Sequence, residues 1–516
     1  MSLGRQLAGT ALLMAVLTLL GKVVGLLREM VVAGAFGAGA DLDAFLIGYT
    51  LPEMASFIAL YVALYLFVPL YLELRERDPG DADAFAAAFL GRAALLLLGS
   101  ALALGLAAGW IVSVLAPDLP DRGRSIAVFT LRALAVVVLF RGLEGALRGV
   151  LNAHRRFIRP LVATLTASAI VIVGVVGFAD RLGVQALGLG ILVGSAGPLL
   201  LLLPATGLRR VGVRRLTRNH PALARVRQRL LWFLGIEALG LAVPLIDRAL
   251  ASRSLDPGAV SALNFARILY EVPFQAVALT LAVALFPELS TLWARGDREG
   301  FRRLLRRSVR AVLAILLPVA LLFVALRRSV VEALFRRGAF DAGDVDLTAA
   351  ALLGLTLGLP FLAAASLLFH GAIAAGRYRL LMAARVSSLL VKVVVSVVLV
   401  RFLGVSGLAL GTAAHFVVLF AILAPVGGGS WRGWVPRPAV LLPAALVATG
   451  VAWSAIRLWE GSAPGGDPWP LVGQSLAWVA GAVVYVVLCR LGGVEEVRWL
   501  ERVLRGRLAE AGNPAT

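Results

Sequence analysis

The chain has 516 residues, of which 60% are hydrophobic and only 16% are charged, and its mean hydropathy is +0.90. A soluble globular protein is about half apolar and about a quarter charged, so a soluble enzyme and a disordered scaffold are both excluded. The net charge of +20 does not indicate nucleic-acid binding, because the arginines stand in short loops between long apolar runs. The composition therefore predicts an all-α polytopic membrane protein.

Apolar runs long enough to cross a bilayer follow one another along the whole chain. The first extends from Leu7 to Phe36, and its length favours a membrane helix over a cleaved signal peptide. The runs after it bring the prediction to about fourteen transmembrane helices. These later runs lie near 42–71, 84–116, 125–150, 160–180, 183–205, 230–252, 259–290, 309–334, 346–375, 380–402, 405–426, 437–458 and 469–491.

Arginine-rich loops predict the orientation in the membrane. The basic loops all follow even-numbered runs, at 154–160, 208–229, 293–310, 376–379 and 431–437. The loops after odd-numbered runs are mostly short and poor in arginine, and in 335–344 acidic residues offset the arginines in part. By the positive-inside rule both termini are expected in the cytoplasm.

A weak internal repeat predicts two pseudo-symmetric lobes. Residues 26–53 have the same layout as 247–273, and 147–157 correspond to 369–379, each pair about 220 positions apart. Duplicated bundles of this kind are the usual build of alternating-access transporters. The predicted organisation is a first lobe at 1–207, a basic cytoplasmic linker at 208–229, a second lobe at 230–426, two extra helices at 427–492 and an amphipathic cytoplasmic tail at 493–516.

Charged residues within the first two runs are the first candidate binding site. A charge inside a spanning helix costs about 2.5–3.5 kcal/mol on insertion scales, so it usually faces a cavity or a partner. Lys22, Arg28 and Glu29 fall in the first run, and Asp43 and Glu53 in the second. We expect an anion-binding patch here. The alternative is that Arg28 and Glu29 only mark the end of the helix and reach for the interface.

Later runs carry further embedded charges. Arg141, Glu144 and Arg148 share one helical face and favour a structural ion-pair network. The seventh and eighth runs contain Glu237, Asp247, Arg248, Arg267 and Glu271. Of these, Arg267 is the best central cation of the second half, although local pairing with Glu271 is the alternative.

Several segments resemble the MurJ/MviN lipid II flippases of the multidrug/oligosaccharidyl-lipid/polysaccharide exporter superfamily. The stretch TLLGKVVGLLREMVVAGAFGAGADLDAFLIGYTLP at 18–52 resembles the opening of that family, and 149–160, 246–273, 285–290 and 335–345 agree as well. The resemblance extends in order over about 1–426. It implies a fold of about fourteen helices in two lobes, with helices 13 and 14 contributing to a groove for the lipid tail.

The resemblance also implies a function and a set of headgroup residues. The family moves undecaprenyl-pyrophosphate-linked peptidoglycan precursor, lipid II, to the outer leaflet. Its helix-1 arginines correspond to Lys22 and Arg28, the acidic neighbour to Glu29 and the acid of its Asp-Ala-Phe to Asp43. Ser56 and Phe57 stand where the family has a pair of helix-2 arginines. In helix 8 the family's arginine position holds Ile268, one place after Arg267.

A second hypothesis from the resemblance concerns a cation site. Some family members bind sodium in the second lobe with polar residues of helices 7, 11 and 12. Lys392, Ser396 and Thr412 correspond to such positions, and Glu237 of helix 7 supplies an acid. The hypothesis is that a Lys392–Glu237 pair replaces mobile sodium, since a buried ammonium needs a partner. The alternative is a lysine packed against backbone carbonyls or reaching the interface.

The sequence thus predicts a transporter and not an enzyme. Its partners are expected to be a polyprenyl-pyrophosphate-linked glycan and membrane lipids, without nucleic acid, and the chain is expected to be a monomer. No cofactor or firm metal site is predicted, and coupling to an ion or to the membrane potential stays open. The first alternative is a flippase for another polyprenyl-linked unit, such as an exopolysaccharide or O-antigen repeat. The second, a cation-coupled multidrug exporter, is disfavoured by the helix number and the basic residues.

Overall fold

The structure is a computed structural model, and it describes residues 3–154, 156, 158–204, 219–428, 434–435, 437–461 and 470–496. The regular secondary structure in these ranges is helical throughout, which confirms the all-α prediction. The chain divides into two compact units. The first comprises Met1–Arg253 with Arg337–Phe340, and the second comprises Ser254–Arg336 with Asp341–Thr516.

Within the described residues, the first unit contains ten helices, and the tenth leads into the second unit at Ser254. In chain order they are α1 (Leu3–Phe36), α2 (Ala40–Val62), α3 (Val68–Arg77), α4 (Pro79–Leu106), α5 (Ala108–Leu115), α6 (Asp121–Leu134), α7 (Val137–Ala153), α8 (Ile158–Leu182), α9 (Gln185–Leu202) and α10 (Ala222–Ser254).

The second unit continues with eight helices in the part of the chain that the structure describes. They are α11 (Ala259–Pro273), α12 (Thr280–Ala294), α13 (Arg298–Phe335), α14 (Ala342–Ala374), α15 (Tyr378–Leu403), α16 (Val405–Leu423), α17 (Pro438–Gly461) and α18 (Pro470–Leu491).

Most of these helices can cross a membrane. Among the described residues, 11 helical segments are long and apolar enough, or 12 if the bent α10 is counted as one span. Each apolar run predicted from the sequence coincides with a helical segment, so the chain is a multi-pass membrane protein. The total of about fourteen spans is compatible with this count and stays a prediction.

Breaks within the spans were not visible in the apolar pattern. The predicted run 84–116 is divided at Ala107, and the run 125–150 is divided at Ala135 and Val136. A π-helical turn joins α2 to α3 at Ala63–Phe67, and another joins α11 to α12 at Phe274–Leu279. Such turns shift the helical phase by one residue without exposing the backbone, so hydropathy alone does not reveal them.

The repeat inferred from the sequence reappears in the backbone. Gly37 and Gly258 both precede the second helix of a half, and both adopt positive φ angles, +62° and +103°. They lie about 220 positions apart, as do Gly183 and Gly404, each with φ +55°. Since a positive φ is accessible to glycine at little cost, these positions end one helix and redirect the chain into the next.

Close helix packing positions α2 in the first unit. A Cβ atom on Gly48 would lie 2.3 Å from the carbonyl oxygen of Ala127, so only glycine lets α2 and α6 approach this closely. Deeper in the unit the stacked rings of Phe67, Phe85 and Phe89 fill the core. These contacts fix the position of α2, which carries Glu53, within the first unit.

Two of the predicted segments lie largely outside the described residues. Residues 208–218 of the basic linker and 497–516 of the tail belong to this group. Helix α10 already begins at Ala222, eight residues before the predicted start of the second lobe. The lobe boundaries themselves stay a prediction.

Candidate functional site

The candidate site of the first unit begins with an ion pair on α1. The Arg28 Nε donates a hydrogen bond to Glu29 Oε1 at 2.9 Å, and a second guanidinium nitrogen contacts the same oxygen. The Arg28 side chain is 33% exposed, whereas that of Glu29 is 12% exposed. Lys22 lies two helical turns earlier on α1 and is exposed. The cation of this pair is therefore more exposed than its acid.

A second ion pair joins two helices of the same unit. Arg248 on α10 is buried, and its Nη2 lies 3.0 Å from Glu53 Oε2 on α2. Its Nη1 donates to Thr50 Oγ1 at 2.9 Å and to the Leu46 carbonyl at 3.2 Å. A buried guanidinium is tolerated when its donors are satisfied in this way. Removing one partner of such a pair typically costs about 3–5 kcal/mol.

Tyr49 of α2 interacts electrostatically with several of these charges. It is within electrostatic range of Arg28, Glu53 and Arg248, and of Arg141 on α7. Arg28 is also within electrostatic range of Glu53. We call this set the arginine cluster; its members are Arg28, Glu29, Tyr49, Glu53, Arg141 and Arg248. Four helices of the first unit, α1, α2, α7 and α10, contribute to it.

The cluster contains some of the residues predicted from the sequence and adds others. Arg28 lies within electrostatic range of Glu29 and Glu53, and the role of these residues as an anion-binding patch stays a prediction. Asp43 is buried near the start of α2, ten residues before Glu53, which is about 15 Å along a helix. Arg248 was a candidate whose partner could not be named, because Glu53 lies 195 positions earlier.

Arg141 departs from its predicted role. The sequence favoured a network in which Arg141 and Arg148 both use Glu144. In the structure Glu144 pairs with Arg148 at 2.7 Å, and Arg148 also donates to Thr164 Oγ1 at 2.6 Å. Among the described residues, no carboxylate lies within ion-pair distance of Arg141. Helical spacing alone allows both pairs, and the contact with Thr164 on α8 fixes Arg148.

In the second unit the charged residues of α11 pair locally. The Arg267 Nε lies 3.6 Å from Glu271 Oε1, one helical turn away, and the two side chains are partly exposed. Glu271 also accepts a hydrogen bond from Gln275 at 3.4 Å. This is the local pair anticipated as the alternative for Arg267. Its role as a headgroup ligand stays a prediction.

A buried polar group of the second unit joins α15 to α16. The Lys392 Nζ donates to Thr412 Oγ1 at 3.0 Å, and both residues are buried. Ser396, one turn after Lys392, is buried as well, and a Cβ on Gly411 would lie 2.0 Å from its Oγ. Glu237 belongs to the first unit, where it is within electrostatic range of Tyr65. The Lys392–Glu237 pair stays a prediction.

A multi-pass helical bundle with a backbone repeat and with ion pairs embedded in its first unit is typical of a membrane transporter. Residues 32–463 match the family profile described as "Lipid II flippase MurJ". The chain therefore belongs to the MurJ family, as the segments quoted above indicated.

Relatives and solved structures agree with this assignment. The chain is 28% identical to "Lipid II flippase MurJ" of Burkholderia cenocepacia over 86% of this chain and 89% of the relative. It is 25% identical to "Probable lipid II flippase MurJ" of Thermotoga maritima, over 95% and 96%. A solved structure named "Lipid II flippase MurJ, inward closed conformation" shares the fold, with a TM-score of 0.76 at 18% identity, covering 93% of this chain and 98% of the other.

The fold extends beyond this family. A solved multidrug resistance transporter of the MATE family has a TM-score of 0.66 at 14% identity and covers 79% of this chain and 93% of its own. The fold alone therefore does not distinguish a lipid flippase from a drug exporter. The family profile makes that distinction.

Proposed function

We propose that this chain is an alternating-access flippase that moves lipid II from the cytoplasmic to the outer leaflet of the bacterial inner membrane. The observation that carries the proposal is the family match over residues 32–463. The names of the relatives from Burkholderia cenocepacia and Thermotoga maritima support it. It is a transporter that performs no chemical conversion of its substrate.

The arginine cluster suits the headgroup of this substrate. A pyrophosphate is strongly anionic, and guanidinium groups bind phosphate oxygens through charge-assisted, bidentate hydrogen bonds. These bonds gain strength where water is scarce, as they do within a membrane protein. Arg28 is placed to serve as a ligand, because its guanidinium remains partly exposed while Glu29 holds it in position.

The lipid tail has a separate requirement. An apolar cavity of about 240 Å³ in the second unit lies between α13, α17 and α18. Its lining includes Pro318, Leu322 and Trp478, and at one end Glu496 pairs with Arg310 at 3.0 Å. A polyprenyl chain is apolar along its length, so it can leave the bilayer for such a cavity at little cost. We assign this cavity to a segment of the tail.

The remaining expectations follow from the loops. The basic segments after even-numbered spans support termini in the cytoplasm, and the proposed unit of function is the monomer. Substrate and surrounding membrane lipids are then the only partners that the proposal requires. A cysteine-accessibility experiment with membrane-impermeant reagents at 121–124 and 296–300 tests the orientation, with labelling from outside expected only at the first segment.

Complementation tests the function. The chain is expressed in a strain depleted of its own lipid II flippase, with an empty vector as the negative control. We expect restored growth, together with lipid II that becomes accessible to a lipid II-cleaving enzyme added from outside. Membrane-inserted protein that restores neither growth nor accessibility would contradict the proposal.

One observation favours a second candidate. Ser56 and Phe57 occupy the positions of the helix-2 arginines in the resembled family. A flippase for another polyprenyl-linked glycan would keep the pyrophosphate chemistry and change the sugar contacts. Growth or glycan export restored only in a strain lacking its O-antigen or exopolysaccharide flippase would support this candidate over lipid II.

A further inference from the structure

The three arginines of the arginine cluster differ in their partners. Arg28 is paired with Glu29, and Arg248 is paired with Glu53, so both of these charges are compensated within the first unit. Arg141 has no carboxylate at ion-pair distance in the described part of the chain. The acid nearest to it in sequence, Glu144, is engaged by Arg148. Within the described residues, Arg141 is therefore the one of the three arginines without an ion-paired carboxylate.

An uncompensated charge in a spanning helix has to be explained. Arg141 is half-buried in the span formed by α6 and α7, where an unpaired cation costs about 2.5–3.5 kcal/mol on insertion scales. Exposure to water at a helix end lowers this cost for most arginines. Arg141 instead lies four residues inside α7, within electrostatic range of the Tyr49 hydroxyl. Such a position is typical of a cation whose counter-charge arrives with a ligand.

The packing of α7 places Arg141 beside the middle of α2. A Cβ on Gly142 would lie 2.9 Å from Ala59 Cβ, and one on Gly145 would lie 2.9 Å from Leu60 Cδ1. The glycines bring the two helices together, so Arg141 stands at the level of α2 residues 56–59. Ser56 is buried at this level and donates to the Pro52 carbonyl at 2.7 Å, so it supplies no charge.

We propose that Arg141 is a substrate-binding residue that contacts the pyrophosphate of the lipid-linked substrate and supplies from α7 the positive charge that α2 lacks at this level. The proposal rests on the function proposed above. A pyrophosphate carries enough negative charge to compensate Arg141. The planar guanidinium offers two parallel donors to phosphate oxygens, which an ammonium does not.

Purified full-length protein in detergent provides the test. Binding of undecaprenyl pyrophosphate is measured by native mass spectrometry for the wild type, Arg141→Gln, Arg141→Lys and Arg132→Gln. Arg132 is the matched control, because it is an exposed arginine of the same span. Undecaprenol, which lacks the pyrophosphate, reports on the tail alone, and thermal unfolding reports on structure.

We expect Arg141→Gln to weaken undecaprenyl pyrophosphate binding about tenfold or more, as the loss of a charge-assisted hydrogen bond does. Undecaprenol binding and the unfolding temperature should not change, and Arg132→Gln should bind as the wild type does. Arg141→Lys should recover part of the affinity. Equal pyrophosphate binding by wild type and Arg141→Gln overturns the proposal, as does an equal loss for both lipids.

Two further outcomes are decisive. If Arg141→Gln does not accumulate in the membrane, Arg141→Lys provides the test, because lysine keeps the positive charge. If Arg141→Lys then binds undecaprenyl pyrophosphate as tightly as the wild type does, the proposed bidentate contact is overturned. If the wild type binds undecaprenyl pyrophosphate through Arg141 but does not complement flippase depletion, the lipid II assignment fails and the Arg141 assignment stands.

Discussion

The two units place their embedded charges differently. In the first unit Arg248 reaches from α10 to Glu53 and Thr50 on α2, so an ion pair joins helices that are distant in sequence. In the second unit Arg267 pairs with Glu271 within one turn of α11, and Lys392 uses a hydroxyl of the next helix. The Arg248–Glu53 pair thus links two helices, whereas the Arg267–Glu271 pair lies within a single helix.

The largest effect is expected for the partly exposed cation of the first unit. Arg28→Ala should abolish transport while leaving membrane insertion intact, because about 2–5 kcal/mol of charged contact to the headgroup is lost. Arg28→Lys should also be impaired, since an ammonium lacks the bidentate fork. Complementation at equal membrane abundance measures both variants. Near-normal growth with Arg28→Ala would refute the ligand role.

A large effect on stability is expected for the interhelical pair. Arg248→Met leaves the half-buried Glu53 without its Arg248 partner and should destabilise the protein by about 2–3 kcal/mol, as the loss of a charged hydrogen bond does. Adding Glu53→Gln removes the stranded charge and should restore most of that loss. Thermal unfolding of the single and double variants in detergent measures the coupling between the two residues. If the changes in unfolding free energy of the two single variants add up to that of the double variant, the two residues are not energetically coupled.

A smaller effect is expected for the local pair of the second unit. Arg267→Ala should lower transport by about tenfold if Arg267 contacts the headgroup, as a single charge-assisted contact does. Its stability should change by less than about 1 kcal/mol, because partly exposed pairs contribute little. Glu271→Gln is the matched control and should leave transport close to that of the wild type. Equal transport losses in Arg267→Ala and Glu271→Gln would indicate a purely structural pair.

The smallest effect on rate, and the sharpest effect on ion dependence, is expected at Lys392. If its ammonium replaces a mobile cation, the wild type transports equally well in sodium-free medium. Lys392→Asn should then make transport sodium-dependent, since it exchanges a tethered charge for a neutral oxygen ligand. Sodium dependence of the wild type itself would contradict the hypothesis.

Particular residues show how far sequence reasoning reached within the site. Lys22, Arg28, Glu29, Asp43 and Glu53 were predicted as one patch because charges inside apolar runs are rare and costly. Of these, only Arg28, Glu29 and Glu53 belong to the arginine cluster. Arg141 was assigned to a structural network because helical spacing allowed a pair with Glu144. In the structure Glu144 pairs with Arg148, which also donates a hydrogen bond to Thr164 on α8. Packing against neighbouring helices decides which of two possible partners an acid pairs with, and the spacing of residues along one helix gives no information on that packing.

The sequence by itself determined the class, the approximate positions of the spans and the repeat, because a bilayer imposes a minimum length and an apolar composition on every crossing helix. It also determined the family, through motifs of adjacent residues. Only the tertiary structure decided that Arg248 meets Glu53, that α2 and α6 touch at Gly48, and that a π turn joins α2 to α3. Those features depend on which helix faces are in contact, and in an almost uniformly apolar sequence many faces are equally apolar.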